Sequence, residues 1–318
     1  NRCSDKVGLN ERIVWHYTCN MNFKQLNSFS TAKVKGLFGL HPKILAEVLF
    51  KVLPVLEQRR AERLAARPDR KRPVVEGDGR PRQVLPLHKV LMTLLYARHN
   101  VSHEVVGVLF GFSADSSENA FQEVLPLLRQ MFPAEKWEAE KRWRRGEPTW
   151  TPDDVERVII DSFETSVRRP SLQQRQRRVY SGKKKRHTLK TQIVTDQDGD
   201  ILTLTAGHRG PKADLKLYEE APLPEEIADK PRLGDKGYCS QDHPEIKTPQ
   251  KKPRGGQLTE QQKAENKELS RERIVVEHGI RRVKGWRILR DEYRLALGLF
   301  PMVASAVVGL IQFSRIAA

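Results

Sequence analysis

Apolar side chains recur every three or four residues in "HPKILAEVLFKVLPVLEQRRAERLAAR", residues 41 to 67, which predicts a helix interrupted near Pro54. "RPDRKRPVVEGDGRPRQ", 67 to 83, is basic and rich in Pro and Gly, and reads as an exposed linker or arm. Residues 85 to 132 divide into three short amphipathic helices, with breaks at 100–102 and 111–113. Ser102 and Ser113 are each placed as an N-cap. Helix, tight turn with glycine, helix over about twenty residues is the outline of a helix-turn-helix. A plain three-helix bundle would show the same pattern. The helix that would enter a DNA groove, "SADSSENAFQEV", contains no Lys or Arg. Ser116, Ser117 and Asn119 are then the side chains left to meet phosphates or bases, and affinity has to come from elsewhere.

After residue 150 the period changes. "VERVIIDSFET" is a β-branched apolar run ending in Asp161. "TLKTQIVT", 188 to 195, and "ILTLTA", 201 to 206, are strand-like and are separated by the hairpin turn "DQDGD". "PRLGDKGY", 231 to 238, is another short apolar approach to an acid, Asp235. A helical tract opens at Thr259 with the capping-box pattern "TEQQ" and runs toward Gly285. Strand, hairpin, strand and helix in that order describe an α/β domain with a mixed sheet. "LALGLFPMVASAVVGLIQF", 295 to 313, is 19 residues without a charge, just enough to span a bilayer. Its Gly298, Pro301, Ser305, Gly309 and Gln312 favour a buried carboxy-terminal helix over a membrane span. The expected division is 1–84, a helical segment and basic linker; 85–150, the helix-turn-helix; and 151–318, the α/β domain.

Charge narrows the partners. The 318 residues hold 57 Lys and Arg against 40 Asp and Glu, a net +17. Such an excess favours polyanions, nucleic acid first and anionic membrane surface second. Cys3, Cys19 and Cys239 form no CxxC or Cys/His cluster, which predicts reduced thiols, no zinc site and no disulfide framework. With polar first residues and no secretory pattern, the expected location is the cytoplasm. GxxxxGK[ST], GxGxxG, HExxH, GxSxG and kinase signatures are all absent.

What remains is carboxylates and cations. Cleavage of a phosphodiester can use two divalent metals held by carboxylates, and Mg²⁺ needs only two or three hard oxygen ligands from protein. Asp161 and Asp235 each end a strand-like apolar run, where a carboxylate emerges at a sheet edge. An Asp after a strand is also a common capping or turn residue. In the helical tract, Arg273, Glu277 and Lys284 fall within an arc of about 40° beside an apolar stripe of Val276, Ile280 and Val283. Arg273 and Glu277 could equally form an ordinary i,i+4 ion pair, worth a few tenths of a kcal/mol. "SVRRPSLQQRQRRVYSGKKKRHTLK", 166 to 190, has ten Lys/Arg and no acid, which suits a DNA backbone track. Within it the run Lys183, Lys184, Lys185 and Arg186 is the densest. A second basic loop, "KTPQKKPRGGQ", lies at 247 to 257.

"VIIDSFET", "YSGKKKRHTLKTQIVTDQDGDIL", "LGDKGY" and "NKELSRERIVVEHGIRRVKGW", in this order, resemble the DDE transposases of bacterial insertion sequences. The likeness is to the family numbered five and its superfamily endonuclease relatives, the Harbinger-type nucleases included. It covers residues 86 to about 295, and the helix-turn-helix resembles that family's amino-terminal domain. The resemblance implies an RNase H-like fold and a catalytic, metal-binding triad at Asp161, Asp235 and Glu277 with two Mg²⁺ or Mn²⁺ ions. It also implies double-stranded DNA as partner, both terminal inverted repeats and target, and a homodimer or larger complex on DNA. The family's Tyr-x2-Arg-x3-Glu-x6-Lys signature is matched at Arg273, Glu277 and Lys284, with Ser270 in place of the tyrosine. Arg273, Lys284 and the neighbouring Arg281 would hold DNA phosphates. The expected activity is cleavage of transposon ends and strand transfer. The alternatives are a catalytically silent DNA-binding regulator and a nuclease indifferent to sequence.

Overall fold

The computed structural model describes residues 28–66, 84–144 and 150–317; the basic stretch 67 to 83, Cys3 and Cys19 lie outside them. The chain divides after Leu128, and Arg129–Ala317 forms the second unit.

In the first unit, helix α1 (Thr31–Phe38) precedes α2 (Pro42–Ala65). The expected break at Pro54 does not occur; α2 runs straight through it. Proline costs a helix about 3 kcal/mol. Val48, Leu49, Val52, Leu53 and Leu56 are buried along the same helix, at about 1.5–3 kcal/mol each, and their burial prevails. Then follow α3 (Pro86–His99), α4 (His103–Phe110) and α5 (Ala114–Met131). Their joints are those the sequence predicts. The Ser102 hydroxyl accepts the Val105 N–H at 3.4 Å, and the Ser113 hydroxyl accepts the Ser116 N–H at 3.2 Å. Asn100 and Gly111 close α3 and α4 in the left-handed region, at φ 51° and 74°.

The second unit is built on a mixed sheet. Strand β1 (Val158–Ser166) lies between β3 (Arg186–Thr195), antiparallel to it, and β5 (Arg232–Leu233), parallel to it. Beyond β3 comes β4 (Ile201–Arg209), its hairpin partner, and beyond β5 comes β6 (Ile246–Lys247). The two-residue β2 (Tyr180–Ser181) pairs with the start of β3, after α7 (Gln173–Val179), a helix that the charge run 166 to 190 conceals. Alternation along β1 gives it two faces. Val158 and Ile160 join Val194, Leu202, Tyr218 and Tyr238 in a core that also takes in α8 (Asp214–Glu220). Asp161, Phe163 and Thr165 face α9 (Glu260–Lys284) and α10 (Arg287–Arg290).

The expected boundary at 150 falls instead at 128, because α6 (Lys136–Trp143) belongs to the sheet unit. Phe132 packs at a tilt and Trp143 edge-on against Phe313 of α11 (Phe300–Ile316), with ring centres 5.0 and 5.5 Å away. The Lys136 ammonium is buried against Asp196 at 2.9 Å and Asp200 at 2.7 Å, in the β3–β4 turn. The apolar segment Leu297–Ile316 is long and apolar enough to cross a bilayer, but here it packs on β4 and α6. Its Gln312 amide donates to the carbonyls of Ala134 and Ile201.

Candidate active site

Register brings the two aspartates together. Val158 pairs with Arg232 and Ile159 with Leu233 in the parallel ladder. Two residues further on each chain stand Asp161 and Asp235, on neighbouring strand paths about 4.8 Å apart. Asp161 does not end its strand as the apolar run suggests; it is the fourth of nine residues in β1. Asp235 does leave its strand, and its carboxylate caps the turn that follows, accepting the Gly237 N–H at 2.7 Å. Burial raises the Asp161 carboxyl to a pKa of about 6. The Ser162 N–H and the Arg273 guanidinium favour its ionised form, while Asp235 and Asp214 oppose it.

Helix α9 comes to this acid from the other side. Thr259 and Gln262 form the expected capping box. Val276, Gly279 and Val283 are buried against the sheet, with Ile280 only half-buried. Gly279 is the point of closest approach: a methyl group there would sit 3.2 Å from Thr195. This seating points Arg273 at Asp161, Nη2 to Oδ2 3.5 Å. It also lays the Lys284 ammonium over the Phe163 ring at 5.0 Å, where burial and then Lys184 pull its pKa below the usual lysine value and Asp161 works against them. The i,i+4 pair between Arg273 and Glu277 therefore does not form. Glu277 is exposed, on the same face as Arg273 and Lys284, and among the described residues it makes no hydrogen bond or ion pair. Ser270 turns its hydroxyl back on its own helix, to the Asn266 carbonyl at 2.8 Å.

The donor set fits a hard divalent cation in part. Asp161 and Asp235 are neighbouring carboxylates, the hard oxygen donors that such a cation takes. The three-carboxylate group that the resemblance implies is not assembled: among the described residues, no three His, Cys, Asp or Glu side chains are grouped to hold a metal.

Asp214 escaped the sequence reading. It opens α8, where an acid passes for a helix-dipole residue, yet it stands beside both aspartates. A methyl group on Gly237 would lie 2.7 Å from Asp214 Oδ2 and 2.9 Å from Asp235 Oδ1, so only glycine leaves room for the two carboxylates. Lys190 donates to Asp214 at 2.9 Å, and the Ser162 hydroxyl donates to it as well. One signal was available: Lys190 sits inside the apolar strand "TLKTQIV", and a buried lysine needs an anion. Tyr238, fully buried, donates to Gln192 at 3.3 Å. Burial and the charges of Asp214, Asp161 and Asp235 push its phenol up.

Of the residues expected to touch DNA, Lys183, Lys184, Lys185 and Arg186 are exposed on the β2–β3 hairpin, and Arg281 is exposed on α9. Asn119 is exposed and Ser116 half-exposed. Ser117 is a correction: it is 1% exposed and its hydroxyl bonds the His103 ring at 3.0 Å, so it packs the helices and does not face outward.

Residues 85–134 match the family model described as helix-turn-helix of DDE superfamily endonuclease, and residues 160–312 match that of DDE superfamily endonuclease. The probable transposase for insertion sequence element IS702 of Microchaete diplosiphon is 29% identical over 240 residues, 74% of this chain and 83% of that protein. The putative transposase for insertion sequence element IS112 of Streptomyces albus G is 26% identical over 219 residues, 67% of this chain and 74% of that one. No solved structure matches. Both family models describe parts of one superfamily, the helix-turn-helix first and the endonuclease second, and the chain belongs to the DDE transposases of insertion sequences.

Proposed function

We propose that the chain cuts double-stranded DNA at transposon ends and joins it to target DNA, with Asp161, Asp235 and Glu277 as the acidic site of an RNase H-like domain. The observation that carries this reading is the register match of Asp161 with Asp235, under the face of α9 that bears Arg273, Glu277 and Lys284. Asp161 and Asp235 would hold Mg²⁺ or Mn²⁺, and Glu277 would join them by swinging its free side chain inward. Two such ions, when bound, would activate the attacking hydroxyl and neutralise the leaving oxygen. Arg273 would clamp a phosphate oxygen bidentately on leaving Asp161, and Lys284 would add a point charge. Tyr238, held protonated, would remain a hydrogen-bond donor beneath the acids. The helix-turn-helix would select the inverted repeats, and two or more copies would assemble on the DNA.

Asp161→Ala, Asp235→Ala and Glu277→Ala should each abolish Mg²⁺-dependent cleavage of DNA carrying the element's ends, with binding retained. Cleavage that persists in one of them removes that residue from the site. Binding without nicking by the unaltered chain, in both Mg²⁺ and Mn²⁺, would favour the regulator instead.

A further inference from the structure

Three guanidinium groups from distant parts of the chain open onto one cleft of about 440 Å³ in the sheet unit. Arg177 and Arg178 come from α7, and Arg209 ends β4. The sheet brings them together: Tyr180, just after α7, pairs with His187 of β3, and Arg209 pairs with Leu189 of the same strand. Gln173, Gln174 and Pro211 complete the lining, which contains no carboxylate and no aromatic ring. All three arginines are exposed, and among the described residues none forms a side-chain hydrogen bond or ion pair. A second cleft, of about 330 Å³, continues from Arg209 and Pro211 to Lys216, past the Lys212–Glu220 ion pair.

Three like charges around one hollow repel one another; Glu220 of the adjoining cleft draws on Arg209, but no carboxylate lines the hollow itself, and an anion there relieves the repulsion. Guanidinium groups meet phosphate bidentately, and side-chain amides can donate to the same oxygens. Without an aromatic surface there is nothing on which a base could stack, so the chemistry suits the backbone and not the bases. The position is informative too. Pro211 is three residues from Asp214, hence within about 11 Å of it along the chain, or about three base steps at 3.4 Å each.

We propose that Arg177, Arg178 and Arg209 form a phosphodiester subsite that seats the DNA backbone flanking the cut. The identity of the polyanion rests on the nuclease reading above; the anion chemistry of the cleft does not.

The test is binding of the full chain to a short DNA duplex of arbitrary sequence, in EDTA, over a range of KCl. Each phosphate contact contributes about 0.9 to the slope of log affinity against log salt, so replacing all three arginines by Gln should reduce it by about 2 to 3. Lys at the same positions should restore most of the slope. The thermal midpoint should not fall, since the groups are exposed and unbonded and their removal relieves repulsion. An unchanged slope and affinity in the triple variant overturns the proposal. So does a loss of binding to phosphatidylserine vesicles with DNA binding intact, which would make the cleft a membrane-surface contact. Because no cleavage is required, a wild-type chain that binds but never cuts would sink the nuclease reading and leave the subsite standing.

Discussion

Burial holds the Asp161 carboxyl at a pKa of about 6, with Asp235 and Asp214 adding repulsion. In the unfolded chain the same group titrates near 4. Below that value it is neutral in both states and costs nothing. Between about pH 4 and 6 the unfolded chain ionises while the folded state keeps its proton, so stability falls, by at most about 3 kcal/mol, and levels off above 6. Asp161→Asn should therefore be more stable than the unaltered chain at pH 8, by about 1–3 kcal/mol in urea unfolding, and no more stable at pH 4. Added Mg²⁺ should stabilise the unaltered chain above pH 6 and have little effect on the variant. A variant that is weaker at pH 8 would mean that Arg273 outweighs the burial. Removing the Asp214 carboxylate should instead destabilise the chain, because its partner is a buried cation. Asp214→Ala leaves the Lys190 ammonium, 8% exposed, without its carboxylate, and should cost about 3–5 kcal/mol. Replacing Lys190 by Met in the same chain should recover most of the loss, and calorimetry of the single and double variants checks it. Asp161 and Asp235 were legible because apolar runs lead up to them. Asp214 was not: its role comes from the packing of α8 against the β5 turn, at a sequence separation that no local pattern spans.

At the scale of elements, local chemistry was legible and long-range contact was not. The caps at Ser102, Ser113 and Thr259 are decided within four residues, and each forms as expected. The hairpin at 196 to 200 forms too, but its glycine has a second duty that the turn alone does not disclose. Gly199 stands at φ 74°, and a Cβ there would lie 2.8 Å from the Val275 carbonyl oxygen of α9. Arg282 of α9 donates back to the Gly199 carbonyl. Together with Gly279 against Thr195, this fixes how deeply α9 sits, and with it the reach of Arg273 and Lys284. Gly199→Ala meets both a left-handed backbone and a backbone oxygen, and should destabilise by about 1–3 kcal/mol. Its end cleavage should fall further than its stability loss explains, because the helix that carries Arg273 and Lys284 is lifted. Cleavage that tracks folded fraction alone would show that α9 tolerates the shift. The break expected at Pro54 failed for a related reason: sequence shows the missing N–H, but not how much aliphatic surface the rest of α2 buries.

Across the whole molecule, charge and discrimination have different addresses. The net charge is +17, yet the stretch "SADSSENAFQEV" that opens α5 brings no Lys or Arg to it. Exposed cations gather in the sheet unit, on the β2–β3 hairpin, in the Arg177–Arg209 cleft and on α9. Phosphate contacts supply affinity that salt erodes, whereas base contacts supply discrimination that salt leaves nearly untouched. Asn119 is an exposed amide on the first turns of α5, and an Asn can bond an adenine edge bidentately. Asn119→Ala should lower the preference for end DNA over unrelated DNA by about tenfold, a loss of about 1–3 kcal/mol, while leaving the salt slope unchanged. Competition binding at two salt concentrations separates these outcomes. A variant whose slope falls while its preference stays would put Asn119 on the backbone, and the selection of ends would then have to lie outside α5.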